Sequence, residues 1–262
     1  MNIFPTPRKL FEVQATMPEF YLRDFLPLPK QAITLISASG GSGKSFLCLQ
    51  LAMRLINSGE AKRVLLWLSE DPAGVSRYRA CELLKEVEGI SIGDNDFTGL
   101  DVIDEPPTDS NFLNPKFSEN LKDYDVVFID PLIAFFRGDE NNNSQARLFM
   151  NMINRAAKEN NQTFVVVHHS TKPMKDQESR TRGASAFIDA VRLCYELRTP
   201  DVNAENTPWL RDIYAVKDNF GAGQFLQGNS EKGRYAVIQV LPFSTAKRYA
   251  EIKTKKRARD LV

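Results

Sequence analysis

The sequence predicts an α/β fold: a mostly parallel central sheet with helices on both faces and a C-terminal β-hairpin extension. Three observations point there. Short apolar runs of strand length recur at residues 32–37 (AITLIS), 64–68, 126–129, 164–167 and 191–197. They are apolar nearly throughout rather than alternating, as strands covered on both faces are. Helix-like stretches at residues 73–87 and 145–159 lie between them, which is the alternation that parallel strands need for their crossovers. Beyond about Arg211 the pattern changes to IYAVKD and RYAVIQV, two short strands separated by a glycine-containing turn.

Taken in order, residues 1–30 form an N-terminal arm. Phe4, Leu10, Phe11, Phe20, Tyr21, Leu22 and Phe25 are scattered among five prolines with no sustained period, so an extended or short-helical arm is expected. The first strand then runs into the glycine cluster ASGGSGKS. In the following FLCLQLAMRLINSG, Leu47, Leu51 and Leu55, and Cys48, Ala52 and Ile56, recur at four-residue spacing, and Gly59 closes the segment. That predicts a helix buried on one face. Residues 31–243 are expected to form one folded domain, followed by a basic tail at 244–262. No internal repeat is present.

The chain has 262 residues, 42% hydrophobic and 26% charged, within the range of soluble globular proteins. Thirty-four Lys and Arg against 33 Asp and Glu leave a net charge of +1, so any nucleic-acid contact must be local rather than a property of the whole surface. Cys48, Cys81 and Cys194 lie too far apart for a CxxC zinc site or a disulfide framework and are expected to be reduced. No window approaches 18 uninterrupted apolar residues, and MNIFPTPRKLFEVQ interrupts any signal core with proline and charge. The expectation is a cytoplasmic protein with no membrane association.

ASGGSGKS fits the phosphate loop GxxxxGK[ST], with Ala38 in place of the leading glycine. Ser39, Gly40, Gly41, Ser42, Gly43, Lys44, Ser45 and Phe46 are the expected cradle for ATP. Backbone amides at the positive end of the helix face phosphate oxygens, Lys44 reaches the outer phosphates, and the Ser45 hydroxyl takes a Mg²⁺ position. Asp130, after the apolar run DVVFID, is the expected second ligand of hydrated Mg²⁺; the competing reading is a loop cap before Pro131. Glu70, in VLLWLSEDP, is the preferred residue to orient the attacking water, with Asp71 as competitor.

GGSGKS, SEDP, FIDPL, VVVHHS and RTRGASAFIDAVR, in this order, resemble RecA-like P-loop ATPases, and more narrowly the plasmid RepA-type hexameric replicative helicases related to the DnaB core. The resemblance spans roughly residues 26–221. It implies that His169 or His168 senses the γ-phosphate; their adjacency on a strand sends them to opposite faces, which excludes a shared metal. It further implies that Lys172, Lys175 and Arg180, in the loop after that strand, contact nucleic acid, the plainer alternative being a solvated loop. Arg182 and Lys217 match positions that reach a neighbouring subunit's nucleotide; each could equally be a surface charge. The tail from Lys247 to Arg259 carries seven basic residues and one acidic, Glu251. The implied activity is a Mg²⁺-dependent ATPase in a hexameric ring, working as a DNA helicase on single-stranded DNA for a plasmid or phage, with an initiator or primase as possible partner. Its alternative is a RecA-like regulatory or recombination ATPase that does not unwind. A P-loop small-molecule kinase fits less well, because Glu70 and the paired histidines favour water as acceptor.

Overall fold

The computed structural model describes residues 7–87, 90, 97–108, 114–139, 142–169, 184–200, 207–230 and 233–248. The chain order is β1 (Phe20–Tyr21), β2 (Leu28–Pro29), β3 (Ile33–Ala38), α1 (Lys44–Asn57), β4 (Val64–Leu68), α2 (Ala73–Glu86), β5 (Leu100–Ile103) and α3 (Pro115–Leu121). It continues with β6 (Val126–Asp130), α4 (Asn143–Glu159), β7 (Thr163–His169), α5 (Ala184–Ala190), β8 (Leu193–Arg198), β9 (Leu210–Asp218), β10 (Gly228–Ser230) and β11 (Gly233–Gln239).

Among the described residues β3 to β11 make one nine-stranded sheet in the order β10-β11-β9-β8-β3-β7-β6-β4-β5. From β8 to β5 all neighbours are parallel; β9, β11 and β10 continue it antiparallel. Every residue of β3, β4 and β6 is buried, which is why these strands read as unbroken apolar runs. Alternate side chains feed two cores. Ile36, Val64, Leu66, Phe128 and Val165 meet α1 and α2 on one face. Leu35, Leu65, Val127, Phe164 and Val166 meet α4 and α5 on the other. The strongly amphipathic α4 is fixed at its start by Asn142, whose Oδ1 accepts the amides of Ser144 and Gln145.

Several expectations change in detail. Helix α1 is buried on more than one face: Phe46 to Met53 are all buried, because α2 and the segment after β11 pack around the side turned away from the sheet. Leu47, Leu51 and Leu55 are fully inaccessible, each stabilising the fold by about 2 kcal/mol; Leu51→Ala would cost about 2–5 kcal/mol. The packed unit begins at Phe20 rather than residue 31. Tyr21, Leu22, Leu26 and Leu28 join the core, and the Tyr195 hydroxyl donates to the Pro27 carbonyl at 2.8 Å, whereas residues 7–19 are exposed. At the other end residues 243–248 are helical with Thr245 and Ala246 buried, so packing runs past the expected boundary at 243. IYAVKD and RYAVIQV lie in β9 and β11 and pair antiparallel, with β10 inserted between them in sequence and placed outside them at the edge.

Candidate functional site

The P-loop leaves the carboxyl end of β3 and turns into α1. Two of its glycines hold left-handed backbone, Gly41 at φ 71° and Gly43 at φ 97°, which other residues adopt at a cost. Gly43 is also sterically required, since a Cβ there would lie 2.8 Å from Val240 Cγ1 and 3.0 Å from Leu241 Cδ2. It caps α1 without a side-chain bond, so the first amides of the helix point into the loop. Lys44 Nζ donates to the carbonyls of Ala38 (3.1 Å) and Ser39 (2.9 Å), which holds the ammonium over the same loop. Burial lowers its pKa, against the opposing pull of Asp130 and Glu70.

Strand register brings the remaining groups to this edge. Ala38 pairs with His169 across β3 and β7, and Leu68 pairs with Asp130 across β4 and β6, so the residues that follow β4 emerge beside Asp130. Ser45 Oγ donates to Asp130 Oδ2 at 2.7 Å. Asp130 is 3% exposed, and burial pushes its carboxyl pKa up; Glu70 acts in the same direction, while the Ser45 bond, Lys44 and His169 oppose it. One hydroxyl and one carboxylate, both hard oxygen donors, suit Mg²⁺. Among the described residues no cluster of three or more His, Cys, Asp or Glu could enclose a metal, so phosphate and water would supply the other ligands.

Glu70 follows β4 with its Oε1 3.6 Å from His169 Nε2. Asp71 is instead paired with Arg79 of α2. The two histidines separate as alternation requires. His169 is partly exposed beside Glu70, whereas His168 is buried against Phe187, ring centroids 5.1 Å apart. Burial, with His169 and Lys44 adding to it, holds His168 down at a pKa of about 4. Phe46 is buried beneath the Arg79 guanidinium.

Lys172, Lys175, Arg180 and Arg182 lie outside the described residues. Lys217 is placed on β9, opposite Cys194 of β8, which is itself opposite Leu35, toward the amino end of the parallel strands and away from the P-loop edge. Its Nζ donates to the carbonyls of Ile188 (3.0 Å) and Asp189 (2.8 Å). It lines a polar pocket of ≈ 210 Å³ together with Arg147 and Arg192. Neither arginine stands out in the sequence. Arg192 closes the RTRGASAFIDAVR segment, but nothing along the chain connects Arg147 of α4 to Lys217. Arg211 carries no motif signal in the sequence either, yet it is buried and its Nε donates to the Ser42 carbonyl at 2.8 Å, bracing the P-loop from β9.

The sequence matches the AAA domain family over residues 11–175, more than half of its length and inclusive of the P-loop, Glu70, Asp130 and both histidines. The chain belongs to the AAA domain family. Its fold is that of RecA-like P-loop proteins. A solved structure described as the ATPase Domain of G40P superposes with a TM-score of 0.56 at 14% identity, covering 80% of this chain and 81% of that one. No curated protein matches by sequence. In this AAA domain no helix among the described residues is long and apolar enough to cross a membrane.

Proposed function

We propose that the protein hydrolyses ATP with Mg²⁺ and uses the energy, as a hexameric ring of the RepA type, to translocate on single-stranded DNA as a replicative helicase of a plasmid or phage. The observation that carries the reading is the carboxylate of Glu70 beside His169 at the same sheet edge as Lys44 and the Ser45–Asp130 pair. Lys44 and the loop amides bind the outer phosphates. Ser45 and Asp130 would hold Mg²⁺, which supplies neutralising charge to the phosphates. Glu70 orients a water molecule and draws on its proton as the water oxygen bonds to the γ-phosphorus. The bond from that phosphorus to the ADP oxygen breaks, leaving ADP and phosphate. His169, at the end of β7 beside Glu70, would relate phosphate state to the residues that follow it.

Ring action rests on the far pocket. Lys217, Arg147 and Arg192 line it toward the amino end of the parallel strands, away from the P-loop edge of their own chain, which supports a role for Lys217, with Arg182, at a neighbour's nucleotide. Lys172, Lys175 and Arg180 supply the contact to single-stranded DNA, and a cytoplasmic initiator or primase would be the loading partner. The test measures ATPase rates with and without single-stranded DNA, together with strand displacement on a fork. Glu70→Gln is expected to bind ATP normally and lose roughly 10² in kcat. Turnover with neither DNA stimulation nor displacement would replace the helicase with a regulatory ATPase.

A further inference from the structure

Arg211 is a buried cation whose partners are all carbonyls. It is 6% exposed, and its Nε donates to Ser42 at 2.8 Å while its Nη1 donates to Pro208 at 2.8 Å and to Leu210. Among the described residues no carboxylate pairs with it, and burial alone lowers its pKa. A guanidinium stays charged in a protein, and a buried charge without a counter-ion is costly to keep. Pairing of β9 with β8 ends at Asp212 and Arg198, so Arg211 stands one residue past that end, where the P-loop leaves β3.

The bond to Ser42 has a consequence for the next amide. The Ser42–Gly43 peptide is trans and planar, so its C=O and N–H point in opposite directions. Turning the carbonyl onto Arg211 therefore turns the Gly43 N–H away from the guanidinium. That N–H has no hydrogen-bond partner among the described residues, which leaves it available to an anion at the start of α1. A cation on the carbonyl also polarises the peptide and strengthens its N–H as a donor. The same two strands hold the Cα of Gly43. Val240 Cγ1 and Leu241 Cδ2 lie 2.8 and 3.0 Å from where a Cβ would be, and the amides of both residues donate to the Trp209 carbonyl, two residues before Arg211. The ends of β9 and β11 thus fix both the place and the direction of one peptide unit.

We propose that Arg211 is a positioning residue of the nucleotide site: through the Ser42 carbonyl it aims the Gly43 N–H at the phosphate chain, and that chain is the anion that balances its charge. The inference rests on phosphate binding by the P-loop and adds a residue 169 positions from Ser42 in sequence. Arg211 touches neither phosphate nor the attacking water and acts through the backbone. An amide that grips phosphate before and during the transfer alike contributes to binding and not to the chemical step.

Arg211→Met removes the bond and the charge together, Arg211→Lys keeps a charged donor, and Arg211→Gln keeps a neutral one. By calorimetry Arg211→Met is expected to bind ATP, ADP and tripolyphosphate each roughly tenfold more weakly, with KM for ATP raised by a similar factor and kcat kept within about threefold. Arg211→Lys should recover most of the lost affinity. Parent-like affinity in Arg211→Met, with only a lower Tm, makes Arg211 a packing residue and overturns the proposal. A fall in kcat as large as that in kcat/KM overturns it too, and phosphate binding by the P-loop stands in both cases. Should Arg211→Met not fold, Arg211→Gln decides: weaker binding of all three ligands supports the proposal and parent-like binding ends it. Binding of neither ATP nor tripolyphosphate by the parent protein removes the P-loop reading and this one together.

Discussion

His168 is 5% exposed, and its Nδ1 has no hydrogen-bond partner among the described residues, while its neighbour His169 is open to solvent beside Glu70. The difference makes His168 a neutral structural ring that acid must charge. Its pKa falls from 6.5 in the unfolded chain to about 4 in the fold. Between those values the unfolded chain binds more protons, so the stability that neutral His168 contributes is present above pH 6.5 and is lost as pH falls toward 4. The span corresponds to about 3 kcal/mol, of which roughly 2 kcal/mol is gone by pH 5. The raised pKa of Asp130 has the opposite sign and offsets part of this at the acid end. Urea unfolding at pH 7 and pH 5 is expected to show the loss in the parent protein and a flatter dependence in His168→Gln; an unchanged slope in the variant would assign the effect elsewhere. Sequence alone set the two histidines on opposite faces because strand alternation is local. It left open which one faces the nucleotide edge, since that depends on where α5 and Phe187 pack. The sequence preferred Glu70 over Asp71 but could not show that Asp71 has a partner, the Arg79 that α2 brings to it.

The turn from β3 into α1 is the best-read element, since apolar strand, glycine loop and i+4 leucines are contiguous and each follows from short-range chemistry. Its steric limits come from residues two hundred positions away. Gly43→Ala would force a left-handed φ on a residue with a Cβ, at about 1–2 kcal/mol, and drive that Cβ into Val240. A lower Tm and weaker ATP binding are expected, and adding Val240→Ala should recover part of the Tm without restoring the strain-free loop. Failure of the second substitution to recover any stability would mean the backbone angle dominates. Elements at the margins were less legible. β5 at the sheet edge has two exposed and two half-buried residues, so its sequence LDVI carries no unbroken apolar run. The packing of residues 20–29 and of 243–248 was hidden because prolines in the first and charges in the second mask a few anchoring side chains, Leu26, Leu28 and Ala246 among them.

Across the whole molecule the sheet separates two surfaces, the P-loop edge and the pocket of Arg147, Arg192 and Lys217, and a ring would join one to the other between chains. Lys44→Ala and Arg192→Ala should each be inactive, the latter by up to roughly 10³ while still binding ATP. Mixed, they are expected to regain a fraction of turnover, because some interfaces then pair an intact loop with an intact arginine. A fully active monomer in native mass measurements would exclude that arrangement. The strand order also governs when the protein becomes a protein. The P-loop strand β3 sits between β7 and β8, which are encoded roughly 125 residues or more after it. At about 5–20 residues per second of synthesis, its hydrogen-bonding edges wait several seconds to tens of seconds for partners. During translation β3 is thus an unpaired, aggregation-prone ribbon, and the nucleotide loop cannot exist until most of the chain has been made.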